Sequence, residues 1–432
     1  MNAPEFTLYL FGSSVPWGFP YAPTCDIGTI VAQSWSGSVG GAPLVVRNEA
    51  RYGAPSRYAL ERIRSVTQQP HRPNSALALV YSGNNEFLHL APGRGATQGW
   101  GPALMTPEEH AAIIARHRAN LEAGVLALRR AHIESVLATI PTNLRDWPPT
   151  YSALDAADAA DLVLRYQRAQ DDARAGRTEQ AVRRLRELLA EQHRFAQAHF
   201  LLGRLYLHSG RADEARRHLV AANDCDGRPL RATTDINRTI RSLADTHGVR
   251  LLDVEAAFTA AAGGVCGRGD FWDDCHPTLG GYRRIAALLN AHVADLAGTG
   301  AAPRVPPVDD VRAHHGIDAA FDADVLWRIG MYYYKHSSCW DSALTLEVAE
   351  EHLRRALAMT PTSIEVHIAL ALVLARRGDR AAARELLAAA LEFDRTRALW
   401  LLHGPEARAH FTALDIDDAV RWALGRAPAD TP

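Results

Sequence analysis

The sequence has a single lysine, Lys335, and no excess of charge of either sign. Its 47 basic residues are otherwise arginine, and 49 acidic residues bring the formal net charge to −2. Because this balance gives no attraction for polyanions, we expect no nucleic-acid partner. The preference for arginine, together with abundant alanine, is typical of a GC-rich coding sequence.

Cysteine is also scarce. The five cysteines are odd in number and scattered, which excludes a disulfide framework and zinc-ligand spacing. Cys266 and Cys275 lie close enough in sequence to pair, but reduced thiols are the favoured interpretation. The adjacent His314 and His315 have no further ligands nearby in sequence, so we predict no metal site.

Long hydrophobic runs are missing as well. No segment approaches the ~18 apolar residues of a membrane span. The first twenty residues show no basic stretch followed by an apolar core and a small-residue cleavage site. We therefore expect a soluble, cytoplasmic protein without membrane contact.

What the sequence does contain is an alternation of short apolar runs and amphipathic stretches up to about residue 150. Each apolar run is bounded by turn-forming residues, as buried parallel strands are. Strands that alternate with helices predict a parallel sheet with right-handed crossovers, and thus an α/β fold. The predicted strands are Thr7–Phe11, Leu44–Arg47, Leu77–Tyr81, Ser135–Ile140 and, after a long interruption, Val249–Val254.

The interruption has an internal period of 34 residues. Gly176, Ala181 and Leu185 recur as Gly210, Ala215 and Leu219, and a second set repeats at the same spacing near the carboxyl end. Small residues at this period resemble tetratricopeptide repeats, in which paired antiparallel helices approach closely. The second set is Ala349, Leu353 and Ala356, followed by Ala383, Leu387 and Ala390.

These patterns predict five segments. They are the first part of an α/β domain (1–155), inserted repeats (156–227), the second part of the α/β domain (228–297), a linker (298–321) and C-terminal repeats (322–432). Two repeats rarely stand alone, so either both pairs pack on the α/β domain or they join into one array. The insertion is expected to form a wall or lid over Ser14, near the carboxyl ends of the strands, or to bind a protein partner; bracing the fold or dimerising is an equally good interpretation.

Four short motifs within the α/β segments carry the chemistry. A glycine-flanked serine, Ser14, follows the first strand, and Asn48 is followed five residues later by Gly53. The third motif is 83–86, Gly-Asn-Asn-Glu, and the fourth is 273–276, Asp-Asp-Cys-His. In this order they resemble the conserved blocks of SGNH/GDSL-type hydrolases, over roughly residues 5–150 and 228–295. Ser13 and Pro16 depart from the Asp and Thr of the family's first block.

The resemblance implies a flavodoxin-like three-layer α/β/α domain and a serine nucleophile. It assigns Ser14 as nucleophile, His276 as base and Asp273 as the residue that orients the imidazole. The backbone N–H groups of Ser14 and Gly53 and the side-chain amide of Asn85 would form the oxyanion hole. The expected reaction is ester hydrolysis without metal or organic cofactor, on a small-molecule or carrier- or protein-borne ester.

Each residue also has a structural interpretation. Ser14 is placed to cap the following helix and Asp273 to cap a helix near Leu279; Asn85 and Gly53 suit turns, and His276 suits the surface. Two weaker substrate-binding residues are Arg145, which a surface ion pair explains better, and Trp17, whose aromatic cluster with Phe19 and Tyr21 suits either a pocket or the sheet edge.

The sequence leaves the function open between three alternatives. The first is an SGNH-type esterase or deacylase, and the second is an acyltransferase that uses the same site. The third is a repeat-based interaction scaffold whose hydrolase domain is vestigial, which the serine in place of aspartate at position 13 mildly favours.

Overall fold

The computed structural model describes residues 5–68, 71–88, 99–154, 159–336 and 342–403. It consists of two compact units, Met1–His315 and Gly316–Pro432. The end of the predicted C-terminal repeats, 404–432, and the predicted boundary at 155/156 lie outside the described residues, as does Cys339. Among described helices, none is both long and apolar enough to cross a bilayer.

The first unit alternates strands and helices before and after an all-helical insertion. Its strands are β1 Phe6–Gly12, β2 Ser38–Val39, β3 Ala42–Asn48, β4 Ala76–Tyr81, β5 Trp100–Gly101, β6 Glu134–Ala138, β7 Ser152–Ala153 and β8 Arg250–Leu252. Its helices are α1 Ser14–Trp17, α2 Ile27–Ser34, α3 Ser56–Val66, α4 Pro107–Arg130, α5 Ala159–Arg174, α6 Thr178–Glu191, α7 Ala196–His208, α8 Ala212–Asp224, α9 Thr234–His247, α10 Val254–Ala261, α11 Leu279–Ala297 and α12 Val308–His314.

Five parallel strands form the centre of this unit, in the spatial order β3-β1-β4-β6-β8, with β2 added antiparallel at the edge. Numbered along the chain, these five strands have the order 2-1-3-4-5, which is the flavodoxin-like arrangement. Helix α2 packs against α11, while α4 packs against both α3 and α9. The predicted three-layer α/β/α fold is therefore confirmed.

The central strands β1 and β4 are buried, whereas the residues of β3, next to the edge, are partly or fully exposed. All residues of β1 and β4 are buried, as expected for near-continuous apolar runs in a parallel sheet. The strand predictions are confirmed to within a few residues; the last one is shorter than expected, because β8 ends at Leu252 and Asp253 caps α10 by accepting from the Ala256 N–H.

The inserted helices α5 to α8 form two antiparallel pairs, as the 34-residue period predicts. Gly176 and Gly210 both adopt a left-handed conformation, with φ of 74° and 73°, at equivalent turns. Gly203 allows α7 to approach α8, since a Cβ there would lie 2.6 Å from Leu219 Cγ. The repeat spacing therefore reflects the positions at which helices touch.

The second unit has the same construction. Its helices are α13 Ala319–His336, α14 Ser342–Met359, α15 Ile364–Arg376, α16 Arg380–Phe393 and α17 Arg395–His403. Gly330 has the role of Gly203, because a Cβ there would lie 2.7 Å from Leu353 Cγ. The predicted linker, 298–321, contains α12 and the start of α13.

Candidate active site

The sequence motifs meet because parallel strands end at one edge of the sheet. β1 ends at Gly12, whose register partner is Tyr81, the last residue of β4. β3 ends at Asn48, whose register partner in β1 is Leu10. The segments that follow these strands carry Ser14, Gly53 and Asn85. Side chains that are far apart in sequence therefore share the carboxyl edge, where sites in such sheets form.

The turn after β1 fixes the position of Ser14. Gly12 has φ of 145°, and a Cβ on it would lie 1.9 Å from the carbonyl oxygen of Tyr81, so only glycine fits there. Helix α1 has Ser13 as its N-cap and Ser14 as its first residue, without a side-chain capping bond. The interpretation of Ser14 as a helix cap is therefore wrong.

Ser14, His276 and Asp273 form a continuous hydrogen-bonded chain. Ser14 Oγ lies 2.7 Å from His276 Nε2, and His276 Nδ1 lies 2.6 Å from Asp273 Oδ2. All three residues are buried, which makes the interpretation of His276 as a surface histidine wrong. A hydroxyl, an imidazole and a carboxylate in this order are arranged to transfer the hydroxyl proton to the imidazole.

The loop at 270–277 holds Asp273 in place. Its Oδ1 atom accepts from the backbone N–H groups of Cys275 and His276, at 3.0 and 2.8 Å. Helix α11 is capped by Thr278, whose side chain accepts from the Gly281 N–H. The interpretation of Asp273 as the cap of this helix is therefore wrong, and both of its carboxylate oxygens face the His276 loop.

The charges around His276 set its basicity. Burial lowers the pKa of the imidazole, but the Asp273 carboxylate, with a smaller contribution from Asp274, raises it above its ordinary value. Burial and the neighbouring Asp273 charge raise the pKa of Asp274 to about 6. Burial likewise holds the Cys275 pKa well above its usual range, so this thiol stays protonated. Cys266 and Cys275 are both free thiols, as predicted.

The three donors predicted for the oxyanion hole are the Ser14 and Gly53 N–H groups and the Asn85 amide. Asn85 donates one amide hydrogen to the carbonyl oxygen of Ala54, 3.1 Å away, which leaves the second hydrogen without an acceptor among the described residues. Within the same described ranges, the backbone N–H groups of Ser14 and Gly53 also have no acceptor. Gly53 is exposed with φ of 70°, and its Cβ position is open, so the turn conformation and not crowding requires glycine.

Two polar residues of the sequence motifs support these loops. Asn48 donates to the Pro16 carbonyl at 2.7 Å and to Asp26 Oδ2 at 2.9 Å, and so ties the serine turn to α2. Glu86 accepts from the Ser56 N–H at 2.7 Å and from the Ser56 hydroxyl at 2.9 Å, and so holds the segment after Gly53. Asn48 belongs to the second sequence motif, and this was the signal in the sequence that marked it as a site residue.

Aromatic rings surround the imidazole. The Phe19 ring centroid lies 4.4 Å from that of His276, and Tyr52 stacks at 6.3 Å with an interplanar angle of 10°. Trp17, which is exposed, contacts Tyr52 edge-on. Tyr21 is instead buried, and its hydroxyl accepts from the Trp272 indole N–H. The predicted aromatic cluster therefore divides between the site and the core, and Tyr52 is the member that sequence reasoning missed.

Arg145 lies in the segment after β6. Its Nε atom pairs with Asp146 Oδ2 at 3.1 Å, and its backbone N–H donates to the Cys266 carbonyl. The side chain is partly exposed, so the ion pair contributes little to stability. This is the arrangement that the surface-ion-pair interpretation expects, and a substrate-binding role for Arg145 stays a prediction.

The Asp273–His276 loop is also where metal ligands would gather. Ligand atoms of Asp273, Asp274, Cys275 and His276 lie within 4.8 Å of one another, the one such group in the described ranges. Asp273 and His276 are however hydrogen-bonded to each other, His276 is also hydrogen-bonded to Ser14, and burial keeps Cys275 protonated. A cation here would have to compete with these bonds.

Comparison with known proteins identifies the repeats. A tetratricopeptide repeat family model matches residues 172–230 and 346–404. The predicted likeness to tetratricopeptide repeats is confirmed. No curated protein matches the chain.

Solved structures similar to the chain include esterases and lipases. An acetylxylan esterase from Geobacillus stearothermophilus is 11% identical, with a TM-score of 0.37, over 68% of this chain and 96% of that one. A GDSL-like lipase from Bacteroides thetaiotaomicron is 9% identical over 67% and 88%, with a TM-score of 0.33. A lipase/acylhydrolase from Enterococcus faecalis is 15% identical over 70% and 99%, with a TM-score of 0.35. At these similarities the functional proposal depends on the geometry of the site itself.

Proposed function

We propose that this protein is a serine esterase or deacylase of the SGNH type, which cleaves an ester through an acyl-Ser14 intermediate. The observation that carries the proposal is the hydrogen-bonded chain from Ser14 Oγ to His276 and on to Asp273, with distances of 2.7 and 2.6 Å. A buried serine bonded to an imidazole whose other nitrogen faces a carboxylate is the arrangement that activates serine as a nucleophile.

In the first half of the reaction, Ser14 Oγ attacks the ester carbonyl carbon while His276 Nε2 takes the hydroxyl proton. Asp273 holds the Nδ1 proton and stabilises the imidazolium that forms. Collapse of the tetrahedral intermediate breaks the bond to the leaving oxygen, which leaves as an alcohol after accepting the proton from His276. The acyl group then remains on Ser14.

In the second half, water replaces the alcohol. His276 takes a proton from the water as it attacks the acyl carbon, and returns it to Ser14 Oγ when the acid leaves. The negative oxygen formed in both halves would be met by the N–H groups of Ser14 and Gly53 and by the Asn85 amide. Each such donor contributes about 3–4 kcal/mol to lowering the barrier.

Aromatic side chains at the partly exposed rim of the site favour a substrate with a flat or apolar surface, either in its acyl group or in its alcohol. Phe19 and Tyr52 lie beside the imidazole, and Trp17 contacts Tyr52. Their rings can pack against a sugar face or an acyl chain, so small-molecule and carrier- or protein-borne esters are the proposed substrate classes. If a second hydroxyl or amine reached the acyl-enzyme before water, the same residues would catalyse acyl transfer.

A fluorophosphonate probe tests the proposal, because it labels only an activated serine. We expect labelling of Ser14 that disappears in Ser14→Ala and weakens strongly in His276→Ala, with turnover of short p-nitrophenyl esters lost in parallel. Cys275→Ser serves as a matched control beside His276. Folded protein that neither labels nor hydrolyses any ester of a chain-length panel would support the scaffold alternative instead.

A further inference from the structure

Arg231 is a buried arginine in the segment that joins the inserted repeats to the rest of the sheet domain. It lies between α8 and α9 and is 3% exposed. Burying a guanidinium is costly unless its donors are satisfied. Its position must therefore be maintained by specific acceptors, and the identity of those acceptors is informative.

The acceptors belong to two different parts of the molecule. Arg231 Nε donates to Asn223 Oδ1 at 2.6 Å, and Asn223 is in the last turn of α8, the final helix of the insertion. Nη1 donates to the Asn143 carbonyl at 2.5 Å and Nη2 to the Trp147 carbonyl at 3.1 Å, both in the segment after β6. The guanidinium thus joins the repeats to the carboxyl edge of the sheet.

Asn143 extends this connection to the catalytic loop. Its Nδ2 donates to the Asp273 carbonyl at 2.9 Å, and its backbone N–H donates to the Asp274 carbonyl at 2.9 Å. Asn143 is fully buried. The peptide that Arg231 holds is therefore the peptide against which the Asp273 loop is fastened.

A second series of hydrogen bonds leads from Asn223 to Asn84, next to the proposed oxyanion donor Asn85. Asn223 Nδ2 donates to the Ala232 carbonyl at 2.9 Å, and the Ala232 N–H donates to Asn84 Oδ1 at 3.1 Å. Asn84 immediately precedes Asn85. One residue of α8, Asn223, is thus connected through residues 231 and 232 to both sides of the site.

The charges agree with this arrangement. Arg231 is close enough to Asp274 to lower its pKa, against the larger opposing effect of burial. It acts in the same direction on Asp226, a buried carboxylate that accepts from the Thr150 and Tyr151 N–H groups where the insertion begins. A positive charge at position 231 therefore offsets negative charge at both places.

We propose that Arg231 is a positioning residue through which the end of the inserted repeats, at Asn223, holds the Asp273 loop in its working position. This inference rests on the proposed function. It gives the insertion a role beyond covering the site, because a displacement of α8 would move Arg231 and, through Asn143, the carboxylate that orients His276. A partner that binds the repeats would thereby change the rate of the chemical step.

The test compares three variants of the full-length protein with the wild type. Arg231→Met removes the donors and keeps the length of the side chain. Asn223→Leu cuts the connection to α8 and leaves Arg231 in place. Asn223→Asp keeps an acceptor for Arg231 but loses the donor to the Ala232 carbonyl, so it should retain more activity than Asn223→Leu. Asp172→Asn is the matched control, because Asp172 is a buried carboxylate that pairs with Arg177 and Arg184 inside the repeats, away from Arg231.

We expect kcat for a p-nitrophenyl ester to fall on the order of 100-fold in Arg231→Met, with KM little changed, since misplacing a catalytic group by about 1 Å has an effect of this size. Asn223→Leu should fall less, Asn223→Asp should exceed Asn223→Leu, and Asp172→Asn should keep wild-type kcat. The downfield proton signal of His276 Nδ1–H, seen by NMR, should shift or vanish in Arg231→Met and persist in Asp172→Asn.

Two results would overturn the inference. One is wild-type kcat and an unchanged His276 signal in folded Arg231→Met or, if that variant does not fold, in Asn223→Leu. The other is an equal loss of kcat in Asp172→Asn, which would indicate general destabilisation of the repeats. If the wild type fails to hydrolyse esters or label at Ser14, the proposed function is wrong, and the NMR comparison still decides whether Arg231 positions the loop.

Discussion

Replacing Asp273 by asparagine removes one charge from the site and leaves the shape of the side chain unchanged. The remaining oxygen can still accept from the Cys275 and His276 N–H groups, so the loop has reason to keep its conformation. What is lost is the negative charge 2.6 Å from His276 Nδ1. The imidazolium that forms as Ser14 attacks then has no partner charge, and the tautomer is no longer fixed.

The expected loss in kcat is on the order of 10⁴-fold, or about 5 kcal/mol of barrier. A shift in pH dependence should accompany it. In the wild type burial lowers the His276 pKa, but the charge and hydrogen bond of Asp273, together with the charge of Asp274, outweigh burial and raise it. Activity is lost as the pH falls through that raised value, because the base becomes protonated. In Asp273→Asn the effect of burial on the His276 pKa dominates and lowers it. The acid limb of the pH–activity profile should therefore move to lower pH.

The assay is kcat/KM for a p-nitrophenyl ester across the range in which histidine titrates, with Asp274→Asn as the matched control. Asp274 is an equally buried carboxylate one position along, and its effect on the His276 pKa has the same sign but is smaller. Asp274→Asn should therefore lose much less activity and shift the limb less. An equal loss in both variants, or an acid limb that moves to higher pH in Asp273→Asn, would refute this account of the pair.

Two further substitutions test other parts of the site and fold. Asn85→Ala should lower kcat by about 10²–10³-fold with little change in KM, measured with the same ester, since in the proposed mechanism its second amide hydrogen would donate to the developing oxyanion; an effect on KM alone would instead assign Asn85 to ground-state binding. Gly12→Ala should lower the free energy of unfolding by at least about 3 kcal/mol in denaturant titration, because the new Cβ would meet the Tyr81 carbonyl oxygen at 1.9 Å. The control Gly37→Ala, at φ of 75° with open space around it, should cost about 1 kcal/mol, and similar losses in both variants would contradict the predicted clash.

The architecture was predictable from the sequence because it depends on local patterns. The spacing of apolar residues in the short strands and in the 34-residue repeats shows which face of each element is buried. This spacing distinguishes strands from helices and gives their order along the chain. The order of parallel strands then follows from few permitted topologies, so motifs at strand ends were expected to share one edge. The assignment of Ser14, Asp273 and His276 to one site came from the resemblance of their motifs to SGNH/GDSL-type hydrolases.

The hydrogen bonds that hold the loops of the site in place could not be predicted from the sequence in the same way. Asn48, Asn143 and Arg231 hold the serine turn and the catalytic loop by bonds to backbone carbonyls. Such acceptors have no sequence signature, because every residue carries one. Only the folded chain shows which carbonyl lies near which donor.

The sequence by itself determined the fold class, the repeats and the identity of the hydroxyl, imidazole and carboxylate that meet. The tertiary structure decided that Ser13 and not Ser14 occupies the N-cap position of α1 and that Tyr52 stacks on His276 while Tyr21 is buried. It also decided that Arg231 joins the end of the insertion to the segment that holds the Asp273 loop. The division has a physical reason. Hydrophobic periodicity and turn preferences depend on residues that are close together in the sequence. The direction of a buried polar side chain depends instead on partners that only packing brings within about 3 Å.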